Sequence, residues 1–401
     1  MEWKQITPFL LWQDYMATGT TDLAVAFQEQ AYQRTMIGFL DDTGLLETDK
    51  MGRHIVDWMP DARETDETVS RGEYSNSNHT SVSNAFGAHG LALLSTMLAE
   101  GGNATGAAKI AATAASLKSE IVKQMWNGTA FCDGPCDDVA GASKMMSNMF
   151  TLCFGMVPEA NVAANWQAVA DWGIEQIGDY GAFWWRKSSA FFSLWSLHSF
   201  ADTPSACSEM AIAGGYYADA SGHGMAPYAQ DDGSAILTAL TKCDEDSWCS
   251  GLRDDNLTMT RESWHAGTYS HEWGTSAIVG TVWGIMGIHQ TSPAWGTFTA
   301  KPKLGGLSHA TATVPTLRGY ITATATPQSL EINVPCNSAA KLCLPRSHSD
   351  TALRLAGADH TASTLQLDGG DVESAVEDGH LCTAAPVSCG AAGAARLLTA
   401  R

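Results

Sequence analysis

Seventeen residues, Thr258 to Gly274, hold two carboxylates (Glu262, Glu272), two histidines (His265, His271), two tryptophans (Trp264, Trp273) and Arg261. This mixture suits acid–base chemistry on a neutral, hydroxyl-bearing molecule. A carboxylate takes a proton from water, an imidazole hydrogen-bonds a hydroxyl, and an indole face supplies an apolar wall. Glu262 stands beside Arg261 and is expected to stay ionised, as a general base requires. The competing reading is a surface ion pair with the tryptophans in the core.

A second cluster runs Asp57-Trp58-Met-Pro-Asp61-Ala-Arg63-Glu64. Asp57 beside Trp58 pairs a bidentate acceptor with a stacking ring, a combination that grips a sugar. The carboxylates that follow, Asp61, Glu64, Asp66 and Glu67, read more simply as a solvated loop. A third cluster, Gly178-Asp-Tyr-Gly-Ala-Phe-Trp-Trp185, is either an aromatic platform or core. The acidic stretch from Cys243 to Asn256 lacks the every-second-residue ligand spacing of a calcium loop, so neither a metal nor a cofactor is expected.

These clusters need elements to hold them. Apolar residues recur at three- and four-residue spacing in 7–17, 22–40, 82–99, 106–126, 141–156, 162–177, 232–240 and 274–288, which predicts helices there. The candidate residues fall in the long loops between them. The stretch 186–215 has no clear period and is assigned to no element. After Pro293 the texture changes to short, alternating, Thr- and Val-rich segments such as ATATVPTL and GYITATATP, which predict a β-domain. The Ala-rich end, AGAARLLTAR, reads as a loose tail. The expected domains are 1–292 and 293–401.

The chain has 43 acidic against 23 basic residues, a formal charge of −20. Such a surface repels phosphate backbones and anionic lipid, so nucleic-acid and membrane partners are not expected. No apolar run reaches the roughly 18 residues that read as a membrane span. Eight of the ten cysteines fall into close pairs, Cys132/Cys136, Cys243/Cys249, Cys336/Cys343 and Cys382/Cys389. Without metal-site spacing, these suggest short-loop disulfides in an oxidising compartment. Sequons at Asn78, Asn103, Asn127 and Asn256 agree with a secreted or lumenal glycoprotein, although the N-terminus has no signal-peptide pattern.

Several of these motifs together resemble family 78 glycoside hydrolases, the α-L-rhamnosidases. The carriers are Asp57-Trp58-x-Pro60 with Arg63 nearby, the Asn84-Ala85-Phe86 helix start, and Gly178-Asp-Tyr-Gly-Ala-Phe183. Thr258-x-Thr-x-Glu262-x-Trp264 and Ser270-His271-x-Trp273-Gly274 follow, before a helix that leads to Pro293 and the strands. The resemblance implies an (α/α)6 toroid with a C-terminal β-sandwich, and inverting hydrolysis of terminal α-L-rhamnosyl groups. It implies Glu262 as general base, with Asp57, Trp58, Arg63, Trp264, His271 and Trp273 as sugar contacts. The carbohydrate substrate is the partner it implies.

One departure is plain. The family's upstream general-acid motif has no counterpart here, and about eight or nine helical segments stand where six hairpins need twelve. The front of the toroid and its acid are therefore expected to lie outside this chain. Two other readings are carried: a toroid glycosidase acting on glucosides or fucosides, and a non-catalytic carbohydrate-binding paralogue.

Overall fold

A helix that is apolar on every side has to be surrounded, and one with a single apolar stripe has to lie on the outside. Both kinds occur side by side in this protein. A computed structural model describes residues 5–34, 37–47, 77–141, 143, 145–162, 164–165, 237, 241, 243, 248–253, 256–259, 269–270, 278, 280–345, 352–357, 371–372, 374–377, 380–388 and 394–400. The chain divides into two compact units, one helical and one holding the strands.

The helical unit contains α1 (Thr7–Thr18, whose last turn belongs to the second unit), α2 (Asp22–Glu29), α3 (Ser81–Glu100), α4 (Ala104–Met125) and α5 (Met145–Cys153). Every residue of α3 from Ser81 to Leu94 is buried or nearly so, which makes it an inner helix. Small residues permit that depth: a Cβ at Gly87 would collide with Leu46. By contrast, α4 buries only Ala107, Ile110, Ala114, Leu117, Ile121 and Met125, one stripe of an outer helix. The pair forms a hairpin. Gly102 turns the chain at φ +82°, a conformation that favours glycine, and Asn103 caps α4 by accepting the Gly106 N–H at 3.0 Å.

An aromatic cluster binds α1, α3 and α5. Phe86 lies 5.3 Å from Phe9, 4.8 Å from Phe150 and 5.1 Å from Phe154 between ring centroids, and His89 stacks on Phe154 at 4.5 Å. Phe86, Phe150 and Phe154 are all buried.

The second unit is built on two sheets. Its strands are β1 (Ile288–Gln290), β2 (Thr297–Ala300), β3 (Ala310–Thr316), β4 (Gly319–Thr326), β5 (Ser329–Asn333), β6 (Ala339–Pro345), β7 (Ala352–Gly357), β8 (Asp371–Val372), β9 (Ser374–Glu377), β10 (His380–Thr383), β11 (Val387–Ser388) and β12 (Ala394–Ala400). One sheet runs β1-β2-β6-β10-β9 with β11 also on β6; the other runs β3-β4-β5-β12-β7-β8. All described pairings are antiparallel except β2 with β6. Alternation sets the faces: Ile321, Ala323 and Ala325 of β4 and Leu330 and Ile332 of β5 are buried, and the threonines between point outward. The expected order, helical region then β-domain, is the order observed.

Four expectations need correcting. The segment 22–40 is not one helix, because α2 gives way to a π-helical turn at Gln30–Arg34 and a short 3-10 turn at Ile37–Phe39. Of the helix expected over 274–288, Gly280–Ile285 is a π-helical turn, and Ile288 already pairs with Ala300 in a sheet. The Ala-rich end is no loose tail, since β12 sits between β5 and β7. Its pairing partners lie far away in sequence, so no local pattern reveals them. Finally, Cys132–Cys136 and Cys243–Cys249 form the expected short loops, but Cys343 is bonded to Cys382 rather than to Cys336. Residues 343 and 382 face each other across β6 and β10, and that register decides the pairing.

Candidate functional site

Among the described residues, the N-terminal ends of α3 and α5 gather several buried polar side chains of the helical unit: Thr80, Ser81, Ser83, Asn84, Ser147 and Asn148. Thr80 starts α3 in extended backbone and accepts the Ser83 N–H at 3.2 Å. The next residue, Ser81, donates its backbone N–H to the Asp133 carbonyl at 2.9 Å and its hydroxyl to Ser147 Oγ at 2.8 Å. Ser147 in turn donates to Asp133 Oδ1 at 2.7 Å. Ser81, Asp133 and Ser147 are all buried, so this relay ties two helix starts to the loop before α5 without reaching solvent. The Asp133 carboxylate also lies where the helix dipoles favour negative charge.

Beside the relay, two asparagines grip loop backbone. Asn84 accepts the Leu46 N–H at 2.7 Å and donates Nδ2 to the Leu46 carbonyl at 3.1 Å. Asn148 does the same to Phe131, at 2.8 and 3.1 Å, and takes a further hydrogen bond from Asn165 at 3.1 Å. Both amides therefore act as one rung of a β-ladder, fixing the loop against the helix.

On the outer side of the α3 start, His79 Nε2 meets Asp41 Oδ2 at 2.7 Å, with the two side chains 13% and 19% exposed. Asp41 Oδ1 also accepts the Thr43 N–H at 2.9 Å. Partial burial by itself raises the Asp41 carboxyl, but the hydrogen bonds from Thr43 and His79 outweigh it and hold the group below the usual carboxylate range. Ser83 Oγ and both amide atoms of Gln5 are buried without a hydrogen-bond partner. Among the described residues, no group of three or more His, Cys, Asp or Glu gathers to hold a metal ion.

Each residue expected to do chemistry or contact sugar (Glu262, Asp57, Trp58, Arg63, Trp264, His271 and Trp273) lies outside the described residues. Some residues before or after them along the chain are described. Ser77–Thr80 delivers the chain from the Asp57–Arg63 cluster into α3, and Met259 meets Ser270, Oγ to Sδ at 3.4 Å, on either side of Glu262 and Trp264. The third cluster, 178–185, and the stretch 186–215 also lie outside.

Sequence reasoning missed His79, Asp133, Ser147 and Asn148. A signal was present for the last two: Ser83-Asn84-Ala85-Phe86 recurs as Ser147-Asn148-Met149-Phe150, and self-similarity of this kind marks a repeated helical unit.

Comparison with known proteins follows the same division. The family model for the bacterial α-L-rhamnosidase six-hairpin glycosidase domain matches residues 1–177, and that for the bacterial α-L-rhamnosidase C-terminal domain matches residues 287–355. Together they cover well over half of the chain. The solved structure of an α-L-rhamnosidase from Dictyoglumus thermophilum matches over 99% of this chain and 39% of its own, with a TM-score of 0.67 and 15% identity. That of a family 78 rhamnosidase from Bacillus sp. GL1 matches over 80% and 30%, with a TM-score of 0.50 and 18% identity. At these identities the likeness establishes the fold, and the chain spans well under half the length of either relative. A search of curated proteins finds no match. With an inner and outer helix pair followed along the chain by a two-sheet domain, and both family models matching in that order, the chain belongs to the α-L-rhamnosidase family of glycoside hydrolases.

Proposed function

We propose that this protein acts in the hydrolysis of terminal α-L-rhamnosyl groups from glycosides, by inversion, with Glu262 as the general base. One observation carries the reading: the block from Glu262 to His271 lies between the two segments that match the family's domains, where the helical region gives way to the strands. In an inverting reaction, one carboxylic acid protonates the leaving oxygen. A carboxylate on the opposite face of the ring draws a proton from water as that water attacks the anomeric carbon. Glu262 beside Arg261 suits the second part, since a neighbouring cation favours the ionised form. Asp57, Trp58, Arg63, Trp264, His271 and Trp273 would orient the sugar through hydrogen bonds and stacking. We assign the general acid to no residue of this chain. The catalytic region is taken as residues 1–292 and the β-domain as 293–401.

The disulfides support placement in an oxidising, extracellular or lumenal compartment. Among the described residues no helix is long and apolar enough to cross a membrane.

The test is release of p-nitrophenol from its α-L-rhamnoside, with the α-L-fucoside and β-D-glucoside as competitors and Glu262→Gln as the control. Turnover led by the rhamnoside and lost on substitution supports the assignment. Turnover that Glu262→Gln leaves intact removes Glu262 from the role of base. Turnover led by the fucoside or glucoside moves the protein to another substrate.

A further inference from the structure

The outer surface of the hairpin β3–β4 has a composition the catalytic reading does not use. Its two-residue turn, Leu317–Arg318, sets Pro315 opposite Tyr320, Thr313 opposite Thr322 and Thr311 opposite Thr324. Strand alternation puts all six of these paired side chains on one face, away from buried Ile321, Ala323 and Ala325. Tyr320 is 65% exposed although it is large and apolar, and Leu317 at the turn is 70% exposed. Singly exposed apolar residues are ordinary on a protein surface, so what distinguishes this face is the Tyr320 ring standing beside rows of paired hydroxyls.

The threonines stand in rows. Thr311 and Thr324 share a hydroxyl hydrogen bond at 3.1 Å, and Thr313 and Thr322 share one at 3.4 Å. Each pair consumes one hydroxyl hydrogen and leaves the other hydroxyl hydrogen and spare lone pairs facing solvent. A surface of this kind both donates and accepts at close intervals, as a sugar's own hydroxyls do. Next to it, the Tyr320 ring and the Pro315 ring are cross-strand neighbours and form one apolar step, suited to the C–H face of a pyranose. From Tyr320 to Thr324 the platform runs about 13 Å. It continues on β5, where Glu331 lies opposite Thr324. Glu331 is exposed and can accept hydrogen bonds from two hydroxyls. On the other side, β3 is the end strand of the described sheet.

We propose that this face binds a neutral saccharide chain, with Tyr320 as the stacking residue and the threonine rows as its hydrogen-bonding floor. Charge excludes the polyanionic occupants and the hydroxyl rows favour a hydroxyl-bearing one. None of the six paired residues is cationic, Glu331 is anionic, and the whole chain carries −20, so a polyanion or an anionic lipid surface is repelled. The hydroxyl rows do not suit a hydrocarbon surface, which would leave them unpaired. Such a platform holds the protein on a glycan independently of cleavage. The proposal rests on the β-domain alone and stands whether or not Glu262 is the base.

Affinity gel electrophoresis of the full chain in soluble galactomannan, xyloglucan and mixed-linkage β-glucan tests it, with heparin as the polyanion and size-exclusion light scattering alongside. The expected result is retardation by at least one neutral polysaccharide. Its dissociation constant should rise about tenfold or more in Tyr320→Ala and in Thr322→Lys, both still folded by circular dichroism. No retardation by any of the three, equal retardation of the variants, or retardation by heparin alone overturns the proposal. So does a dimer that Tyr320→Ala dissociates, because the face would then be covered by a second copy.

Discussion

Asn84 and Asn148 stand at the fourth position of α3 and of α5, and each clamps both backbone groups of one loop residue, Leu46 and Phe131 respectively. The two helices thus repeat one device. A buried primary amide supplies the acceptor and donor that a neighbouring strand would otherwise supply.

Removing the amide strands two buried backbone groups. Asn84→Ala and Asn148→Ala are each expected to cost about 2–4 kcal/mol, more than truncating the same volume of exposed side chain. Asparagine to aspartate is no rescue, because a carboxylate cannot donate to the loop carbonyl. Urea unfolding midpoints of the single variants check this. A loss within about 0.5 kcal/mol would mean the loops are held by something else.

The Asp41–His79 pair makes a prediction about pH. The Asp41 carboxyl is held below its ordinary value in the folded protein, so folding favours its ionised form. Its contribution is present above the unfolded pKa, about 3.9, and is lost as pH falls through the lower folded value. Asp41→Asn should therefore lower stability by about 1 kcal/mol at neutral pH and by progressively less below about pH 4. Thermal unfolding of both forms across pH 3–7 measures the difference, and a gap that widens on acidification contradicts it.

Arg318 serves the β-domain as a pin. Its Nε donates to the Ala294 carbonyl at 2.6 Å and its Nη1 to the Asn337 carbonyl. Ala294, Trp295 and Asn337 all have positive φ, conformations that cost non-glycine residues energy and persist only when held. Arg318→Ala should destabilise the protein by about 1–3 kcal/mol. Arg318→Lys should recover only part of this, since an ammonium group lacks the planar fork. Chemical denaturation distinguishes the three forms; full rescue by lysine would reduce the residue to its charge.

The disulfides should differ in weight. Cys343–Cys382 has a sequence separation of 39 and Cys132–Cys136 one of 4. Loop-closure entropy makes the first worth about 4 kcal/mol and the second about 2 kcal/mol. Paired Cys→Ala substitutions with unfolding measurements test the ranking. Peptide mapping without reduction tests the connectivity, and a Cys336–Cys343 peptide would refute it.

Phe86 touches three other phenylalanines, and its truncation removes the centre of that cluster. Phe86→Ala should cost about 3–5 kcal/mol, and Phe86→Leu clearly less. Calorimetric unfolding of both variants orders them. Equal losses would show that the aromatic geometry contributes beyond volume.

Much of this protein is local and so was legible in the chain by itself. The stripe Ala107-Ile110-Ala114-Leu117-Ile121 announces a helix because its period is helical. The alternation of β4 and β5 announces strands because theirs is two. The family was legible in short motifs such as Asp57-Trp58-x-Pro60 and Thr258-x-Thr-x-Glu262-x-Trp264. The places where reading failed are non-local. The Ala394–Ala400 segment becomes a central strand only because β5 and β7 leave a row of unpaired backbone groups on either side of it. Cys343 bonds Cys382 because strand register, not distance along the chain, brings them together. Asn84, Asn148 and the Ser81–Ser147–Asp133 relay gain their meaning from partners 14 to 66 residues away, where burial turns an ordinary polar residue into an obligatory partner. Residue type and period are properties of the sequence; which buried groups satisfy each other is decided when the helices and strands close on one another.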